Sequence, residues 1–311
     1  MEKLQLEDFL VVKKKSRLEV DAIKMGIDWR NVLEPDIFET MRKKYQYCKG
    51  FAERNLAAHQ ELCESVDALK KAGLTDIIEI EEMSLQKLAG KKAVIADGGD
   101  NHLIWVLDRL YSFLCDSPVI AMNATPSHSR GGILSDSKNT IAATIAACKE
   151  GNYRIERWPK IEGEILFHGK RTRLFPAAAE YVLGEYAGTQ MSHWAIKNEM
   201  QRGNRLIVCN GVGSSGWYSN IHSILFDERD HFERDKRELR YIAEPADKAA
   251  DYENLFGRVT DGEVLEVISY NDDRGVAVTD SNNRLEYIHE FPFGAVARLW
   301  VSEKVSKIIR C

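Results

Sequence analysis

The chain has 311 residues, enough for two domains, and its contents of 44% hydrophobic and 29% charged residues are ordinary for a soluble globular protein. Its net charge of −5 argues against a general electrostatic attraction to nucleic acid or to an anionic membrane. No apolar run approaches the ~18 residues of a membrane span, and the first residues show no signal-peptide pattern. We therefore expect a cytoplasmic protein with neither a nucleic-acid partner nor a membrane partner.

The cysteines are dispersed along the chain, and their spacing fits neither a CxxC motif nor a zinc template. We interpret them as reduced thiols, as is usual in the cytoplasm, and expect no metal site built from protein side chains. They are Cys48, Cys63, Cys115, Cys148, Cys209 and Cys311.

The first half of the chain predicts alternating strands and helices. The strands are short apolar runs at 9–12, 77–80, 93–96 and 119–122, and a charged stretch at 13–17 follows the first of them. Near-helical spacing of apolar residues between 36 and 73 predicts a helix or helix pair, which ends at Gly73. Further helices are predicted near 103–114 and, as a core helix, at 140–148. This order is typical of a parallel α/β sheet.

The second half predicts a β-rich domain, because short alternating or apolar segments are separated by turn residues. These segments are 153–157, 161–167, 205–209, 265–270, 275–279 and 295–301. The charge run at 227–240 is most simply a solvated loop or helix face. We therefore predict an α/β domain over 1–135, joined by the C-terminal tail 290–311, and a β-rich nucleotide-binding domain over 136–289.

The segment AVIADGGDNH (93–102) is the most informative motif. Gly98 and Gly99 follow a buried strand, where glycines let backbone N–H groups approach a phosphate or ribose. Ligands of open α/β sheets bind at the carboxyl ends of strands, and Asp100 at that position could accept a proton from an attacking hydroxyl. The alternative is a plain tight turn, since such sequences are common in turns.

Two further loops follow predicted strands. The loop 123–132 contains Asn123 and Arg130, which could hold a phosphate, although a solvated surface arginine is the simpler interpretation. The loop 210–217 matches GxGxxG through Gly211, Gly213 and Gly216. We reject a dinucleotide fingerprint there, because the segment lies in the β-rich half and runs into a polar stretch. A small-residue turn that lets a ligand approach closely is better supported, and an ordinary glycine-rich hairpin loop remains the alternative.

The order of these motifs resembles that of the NAD kinases, and is most similar to the divergent branch that includes the mitochondrial-type enzyme. The resemblance covers most of the chain. It rests on 9–17 (first strand and basic turn), 59–73 (long helix), 93–102 (GGDGT), 119–134 (VIGVN-x-x-P loop), 178–185 (Asn-Glu motif), 210–217 (TGTGS-type loop), and 239–245 with 264–310 (last strands and returning tail).

The resemblance implies an NAD-kinase-like fold with a Rossmann-like α/β domain and a β-rich C-terminal domain. It implies that Asp100 is the base for the 2′-hydroxyl of the adenosine ribose of NAD, and that the glycines, the Asn-Glu pair and the Gly/Ser-rich loop bind the nucleotide. By position, the matching residues are Gly98, Gly99, Asp100, Asn123, Glu180, Gly213 and Ser214.

The motifs depart from the family pattern at several positions. Asn101 and His102 replace the Gly-Thr of GGDGT, and Ala179 replaces the Asn of Asn-Glu. Val212 replaces a Thr, and Ser281 replaces the Gly of a tail Asp-Gly. A side chain at position 101 narrows the space beside the phosphates, and the loss of Asn removes two donors and an acceptor.

We expect a kinase that transfers a phosphoryl group from ATP, with Mg²⁺ carried by the donor phosphates, to NAD or a related nucleotide. The resemblance also implies a homodimer or higher homo-oligomer. The alternatives are a non-catalytic nucleotide-binding protein and a lipid kinase of the diacylglycerol-kinase type. We expect Asn101 and His102 to line the transfer crevice and to alter the acceptor preference. Alternatively, both side chains cap the following helix.

Overall fold

The computed structural model describes residues 1–44, 49–186, 190–245, 252–272, 274–282 and 284–311. Cys48 lies outside this part of the chain. The chain forms two compact units: Met1–Glu156 with Lys307–Cys311, and Arg157–Ser306. The first unit thus extends past residue 135, the boundary expected from the sequence, and 307–311, rather than the whole tail from 290, belongs to it.

The first unit is a parallel sheet with helices, as the sequence predicted. The strand order is β2-β1-β3-β4, and β5 pairs with the end of β4. Ile308 of the returning tail pairs in parallel with Val119. The strands are β1 (Phe9–Lys13), β2 (Ile77–Glu79), β3 (Ala93–Gly98), β4 (Val119–Asn123) and β5 (Asp136–Ser137); the helices are α1 (Arg17–Met25), α2 (Pro35–Lys44), α3 (Lys49–Lys71), α4 (Leu85–Leu88), α5 (Asp100–Ser112) and α6 (Ile141–Glu150).

The central strands are apolar because they are covered on both faces. Every residue of β3 and β4 is buried, which is the pattern of a parallel strand between helix layers. The core on one side joins strand residues to α3, α6 and the C-terminal tail. Its members include Phe9, Val11, Leu69, Ile95, Ile120, Ile141, Ile145 and Ile309.

Helix α1 was not predicted from the sequence, which indicated only a charged stretch after the first strand. Ser16 caps the helix: its Oγ accepts from Glu19 N, and Glu19 Oε2 accepts from Ser16 N. The helix ends at Gly26, whose φ of +71° is left-handed. Lys14 and Lys15 therefore lie between the carboxyl end of β1 and the start of α1.

The second unit is β-rich, also as predicted. Its strand path is β15-β14-β8-β10-β9-β13-β16; β11 pairs with β10 and β12, and β6 pairs with β16 and β7. The strands are β6 (Arg154–Phe167), β7 (Lys170–Arg173), β8 (Glu180–Glu185), β9 (Ser192–Ile196), β10 (Glu199–Cys209), β11 (Glu238–Pro245), β12 (Phe256–Thr260), β13 (Leu265–Ser269), β14 (Gly275–Thr279), β15 (Ile288–Glu290) and β16 (Val296–Arg310), and the helix is α7 (Trp217–Phe226). Its main core includes Ile161, Tyr181, Trp194, Leu206, Tyr241, Val267, Phe291 and Leu299.

Helix α7 was not predicted. It follows the Gly/Ser-rich loop directly and packs Tyr218 and Ile221 against β10 and β11. Strands β10 and β11 are antiparallel, so the loop lies outside any parallel βαβ unit even though a helix follows it. Most of the charge run at 227–240 lies between α7 and β11. None of the helices in the described ranges combines the length and apolar character that a membrane crossing needs.

Candidate functional site

Asp100 is the first residue of α5 and follows the carboxyl end of β3 directly. The backbone N–H of Gly132 donates to its Oδ2 at 2.9 Å, and that of Ile133 donates to its Oδ1 at 3.1 Å. Each carboxylate oxygen keeps a free lone pair in this arrangement, since a carboxylate has about four acceptor sites. The loop after β4 therefore fixes the orientation of Asp100 while leaving it able to accept a proton.

Gly98 and Gly99 have different surroundings. A Cβ on Gly98 would lie 2.5 Å from the Cβ and Cγ of His102, whereas a Cβ on Gly99 would meet no atom within 4 Å. The buried ring of His102 donates from Nε2 to the Val12 carbonyl at 2.9 Å. Burial lowers the pKa of His102 to about 4, so the ring is neutral at physiological pH. Its donor is bonded to the backbone, and His102 bridges α5 to β1.

Asn123 organises the loop that holds Asp100. Its Nδ2 donates to the carbonyl of Ser129 at 3.0 Å, and its Oδ1 accepts from the N–H of Thr125 at 3.1 Å. Both groups of the amide are therefore bonded within the loop. Arg130 lies in the same loop and is exposed, as is Asn101 on α5.

A cavity of about 480 Å³ opens beside Asp100 in the first unit. This volume lies within the range of small-ligand sites. The cavity brings together the ends of β1, β2 and β3 with the start of α5. Its lining residues are Lys14, Lys15, Val20, Ile80, Glu81, Gly99, Asp100, Asn101, His102, Trp105 and Ser129. Of the predicted site residues in this unit, Gly98, Asn123 and Arg130 do not line it.

Asp97 is a buried acid in β3 that the sequence analysis did not single out as a site residue. Its Oδ1 accepts from Ser65 Oγ at 2.7 Å, and its Oδ2 has no hydrogen-bond partner within the described ranges. Burial raises its pKa to about 6, against the opposing effects of Ser65 and Lys14. The signal in the sequence was an acid at the end of an otherwise apolar strand.

The Gly/Ser-rich loop of the second unit is held by Asn210, which is fully buried. Its Nδ2 donates to the carbonyls of Pro159 and Ala178 at 2.8 and 2.9 Å, and its Oδ1 accepts from the N–H groups of Val212 and Gly213. A Cβ on Gly213 would lie 2.5 Å from the Ala179 carbonyl oxygen. The Asn210 amide thus donates two hydrogen bonds and accepts two, and these bonds tie the loop to neighbouring backbone.

The remaining predicted residues of the loop also have packing roles. Ser214 is buried, donates from Oγ to the Gly211 carbonyl at 2.9 Å and accepts from the N–H of Phe232 at 3.2 Å. Gly211 packs against the backbone of Glu233, which a Cβ would strike. Gly211 and Ser214 therefore join the loop to the segment before β11.

Glu180 lies at the start of β8, next to an acidic neighbour. Asp280 accepts from the N–H groups of Ala178, Ala179 and Glu180 at 2.7, 2.7 and 3.0 Å, and Ser281 Oγ donates to Glu180 Oε1 at 2.7 Å. Burial and, to a lesser extent, the Asp280 carboxyl raise the pKa of Glu180 to about 7, against the opposing effect of the Ser281 hydrogen bond.

The predicted residues thus fall into two sets, one in each unit. The first is Gly98 to His102 with the Asn123 loop, and the second is Glu180 with the loop from Gly211 to Ser214. Sequence reasoning missed Lys14, Trp105 and Asp97 in the first set. Within the described ranges, no group of three or more His, Cys, Asp and Glu side chains is arranged to hold a metal ion.

No protein-family model matches the sequence, and no curated protein matches it. The structure is similar to the crystal structure of an NAD kinase from Archaeoglobus fulgidus in complex with ATP. The TM-score is 0.61, over 97% of this chain and 93% of that chain, and the sequence identity is 14%. At this identity the similarity shows the fold alone. The protein therefore has the mixed α/β and β-rich fold of that NAD kinase.

Proposed function

We propose that the protein is a nucleotide kinase that transfers a phosphoryl group from ATP to the 2′-hydroxyl of the adenosine ribose of NAD, or to a related nucleotide. One observation carries the proposal: Asp100 lies at the carboxyl end of β3, at the edge of a cavity, with its carboxylate oriented by two backbone N–H groups. The similarity to an NAD kinase in complex with ATP supports it.

Asp100 would act as the general base. As the acceptor oxygen attacks the γ-phosphorus, its proton passes to the carboxylate, the bond from the γ-phosphorus to the bridging oxygen breaks, and ADP leaves. Mg²⁺ would enter with the donor, bound to its phosphates. The two N–H groups hold the carboxylate in one orientation, so the base needs no rearrangement before the reaction.

The test is a phosphorylation assay with ATP and a panel of NAD, NADH and nucleosides, comparing the parent with Asp100→Asn. We expect the variant to remain folded and to lose roughly 10²–10⁴-fold in turnover, the range for removal of a general base. A matched control is Asp67→Asn, an exposed acid on α3 that does not line the cavity. Equal turnover by parent and Asp100→Asn would show that Asp100 is not the base.

The substitutions around Asp100 give a second candidate, a nucleotide-binding protein without turnover. The favouring observation is that His102 stands where the resembled motif has a small Thr. Its ring fills the space beside Gly98, and its Nε2 donates to the Val12 carbonyl rather than to a ligand. Nucleotide binding without phosphorylation of any acceptor would identify this case. Membership of the mitochondrial-type branch, a cytoplasmic location and a homo-oligomeric state are parts of the same proposal.

A further inference from the structure

The cavity beside Asp100 has a second wall that the general-base role does not explain. Trp105 lies on α5, five residues after Asp100, and its side chain is 41% exposed. Its indole therefore presents an apolar, aromatic surface to the cavity. Val20 and Ile80 line the same cavity and supply further apolar surface beside the ring.

Lys14 lies between β1 and α1 and also lines this cavity. Its Nζ donates to a neutral hydroxyl, Thr125 Oγ1, at 3.2 Å. Burial lowers its pKa, while the carboxylates of Asp97 and Glu61 act in the opposite direction. This ammonium is thus partly desolvated, and an anion entering the cavity would stabilise its charge.

Lys15 is placed differently, since it is bonded to Glu79 at 2.5 Å and Glu81 at 2.9 Å. Much of its charge is therefore already neutralised. Of the two cavity lysines, Lys14 is the one whose ammonium contacts a hydroxyl rather than a carboxylate. The cavity thus joins an apolar aromatic wall, a cation and the proposed base.

We propose that Trp105 sets the donor specificity of this cavity: the base of a nucleoside triphosphate stacks on Trp105, and its phosphates lie beside Lys14. The inference rests on the proposed function, because it takes Asp100 as the place where the terminal phosphate reacts. Trp105 then makes the cavity bind a nucleotide more tightly than a polyphosphate that has no base. Lys14 attracts either donor, since an ammonium recognises phosphate charge without reading the base.

The experiment compares two probes by titration calorimetry on the full chain: the magnesium complex of the non-hydrolysable imido analogue of ATP, and magnesium tripolyphosphate. We expect Trp105→Ala to weaken binding of the analogue roughly tenfold, from lost stacking, and to leave tripolyphosphate within about twofold. Trp105→Phe should keep most of the affinity for the analogue. Lys14→Met should weaken both probes by a similar factor, and Lys14→Arg should retain binding of both.

Phe51→Ala is the matched control, since Phe51 is 43% exposed on α3 in the same unit and does not line the cavity. It should leave both affinities unchanged, and thermal melts of every variant confirm folding. The inference is overturned if Trp105→Ala binds the analogue as tightly as the parent, or weakens both probes equally. It is also overturned if the folded parent binds neither probe. The expected binding pattern without phosphorylation of any acceptor would contradict the proposed function alone.

Discussion

At the scale of single residues, two acids only three positions apart have opposite surroundings. Asp100 is partly exposed at the cavity, whereas Asp97 is fully buried near the end of β3 and accepts a hydrogen bond from Ser65. Burial disfavours the ionised form of Asp97 and raises its pKa to about 6. A carboxyl with a raised pKa in the folded state binds protons more tightly there than in the unfolded chain, which links folding to pH.

The raised pKa of Asp97 predicts that this residue stabilises the fold less as the pH rises. Its contribution to stability is fully present below its ordinary value of 3.8 and is lost as the pH rises through about 6. Asparagine at this position does not titrate, so the variant does not suffer that loss. The unfolding free energy of Asp97→Asn minus that of the parent should therefore increase by on the order of 3 kcal/mol between pH 4 and pH 7.5. Urea unfolding at a series of pH values measures this difference.

The comparison with the parent cancels the titration of other buried groups, including Glu180. Asp67→Asn serves as the control, and its difference from the parent should be nearly independent of pH, because Asp67 is exposed. A flat difference for Asp97→Asn as well would mean that Asp97 stays ionised in the folded protein over this range.

At the scale of elements, the junction of β3 and α5 decides where Asp100 lies. Gly98 ends the strand, Gly99 caps the helix, and His102 turns back from the first turn of α5 to the Val12 carbonyl on β1. The ring occupies the space beside Gly98 that any other side chain would need. The two glycines are equivalent in the motif but have different roles: Gly98 leaves room for the His102 ring, and Gly99 is the N-cap of α5.

Alanine substitution of each glycine in turn tests these two roles separately. Gly98→Ala should lower the unfolding free energy by roughly 2–4 kcal/mol, because the new Cβ must displace a buried ring and its hydrogen bond. Gly99→Ala should cost less than about 1 kcal/mol, since its Cβ enters open space. Chemical denaturation measures both effects. Adding His102→Ala to Gly98→Ala should cost less than the two changes summed, and strict additivity would place the two residues out of contact.

At the scale of the whole molecule, the chain leaves the first unit after Glu156 and returns to it at Lys307. The returning residues complete the unit: Ile308 pairs with Val119 of β4, and Ile309 is fully buried among core residues of the sheet and α6. Arg310 donates to Glu156 at 2.8 Å. The first unit is therefore built from both ends of its sequence.

Ile309→Ala tests whether the tail stabilises the first unit. We expect a loss of roughly 2–4 kcal/mol in its unfolding free energy, the usual result of truncating a fully buried isoleucine. Hydrogen exchange should show the lost protection in segments of the first unit, such as β4. Ile23→Ala, at a side chain 48% exposed on α1, should have little effect. A melting temperature for Ile309→Ala equal to that of this control would show that the tail is dispensable.

The α/β and β-rich halves, the strands β1, β3 and β4, and the place of Asp100 after a buried strand were predictable from the sequence. They depend on local patterns: continuous apolar runs for strands covered on both faces, and glycines where strand meets helix. Helices α1 and α7 were missed. Helix α1 begins in a charged stretch and depends on the Ser16 cap, and α7 follows a loop typical of hairpins.

The surroundings of each site residue were decided by tertiary structure. Lys14 and Trp105 are 91 positions apart in the sequence and line one cavity only because β1 pairs with β3 and α5 follows β3. Hydrophobic periodicity reports whether a residue is buried but not which residue it meets, since that depends on strand order. The sequence by itself determined the α/β and β-rich halves, the strands β1, β3 and β4, and an acid directly after a buried strand. The fold alone decided that His102 is bonded to Val12, that Asp97 is buried, and that a lysine and a tryptophan line the cavity beside Asp100.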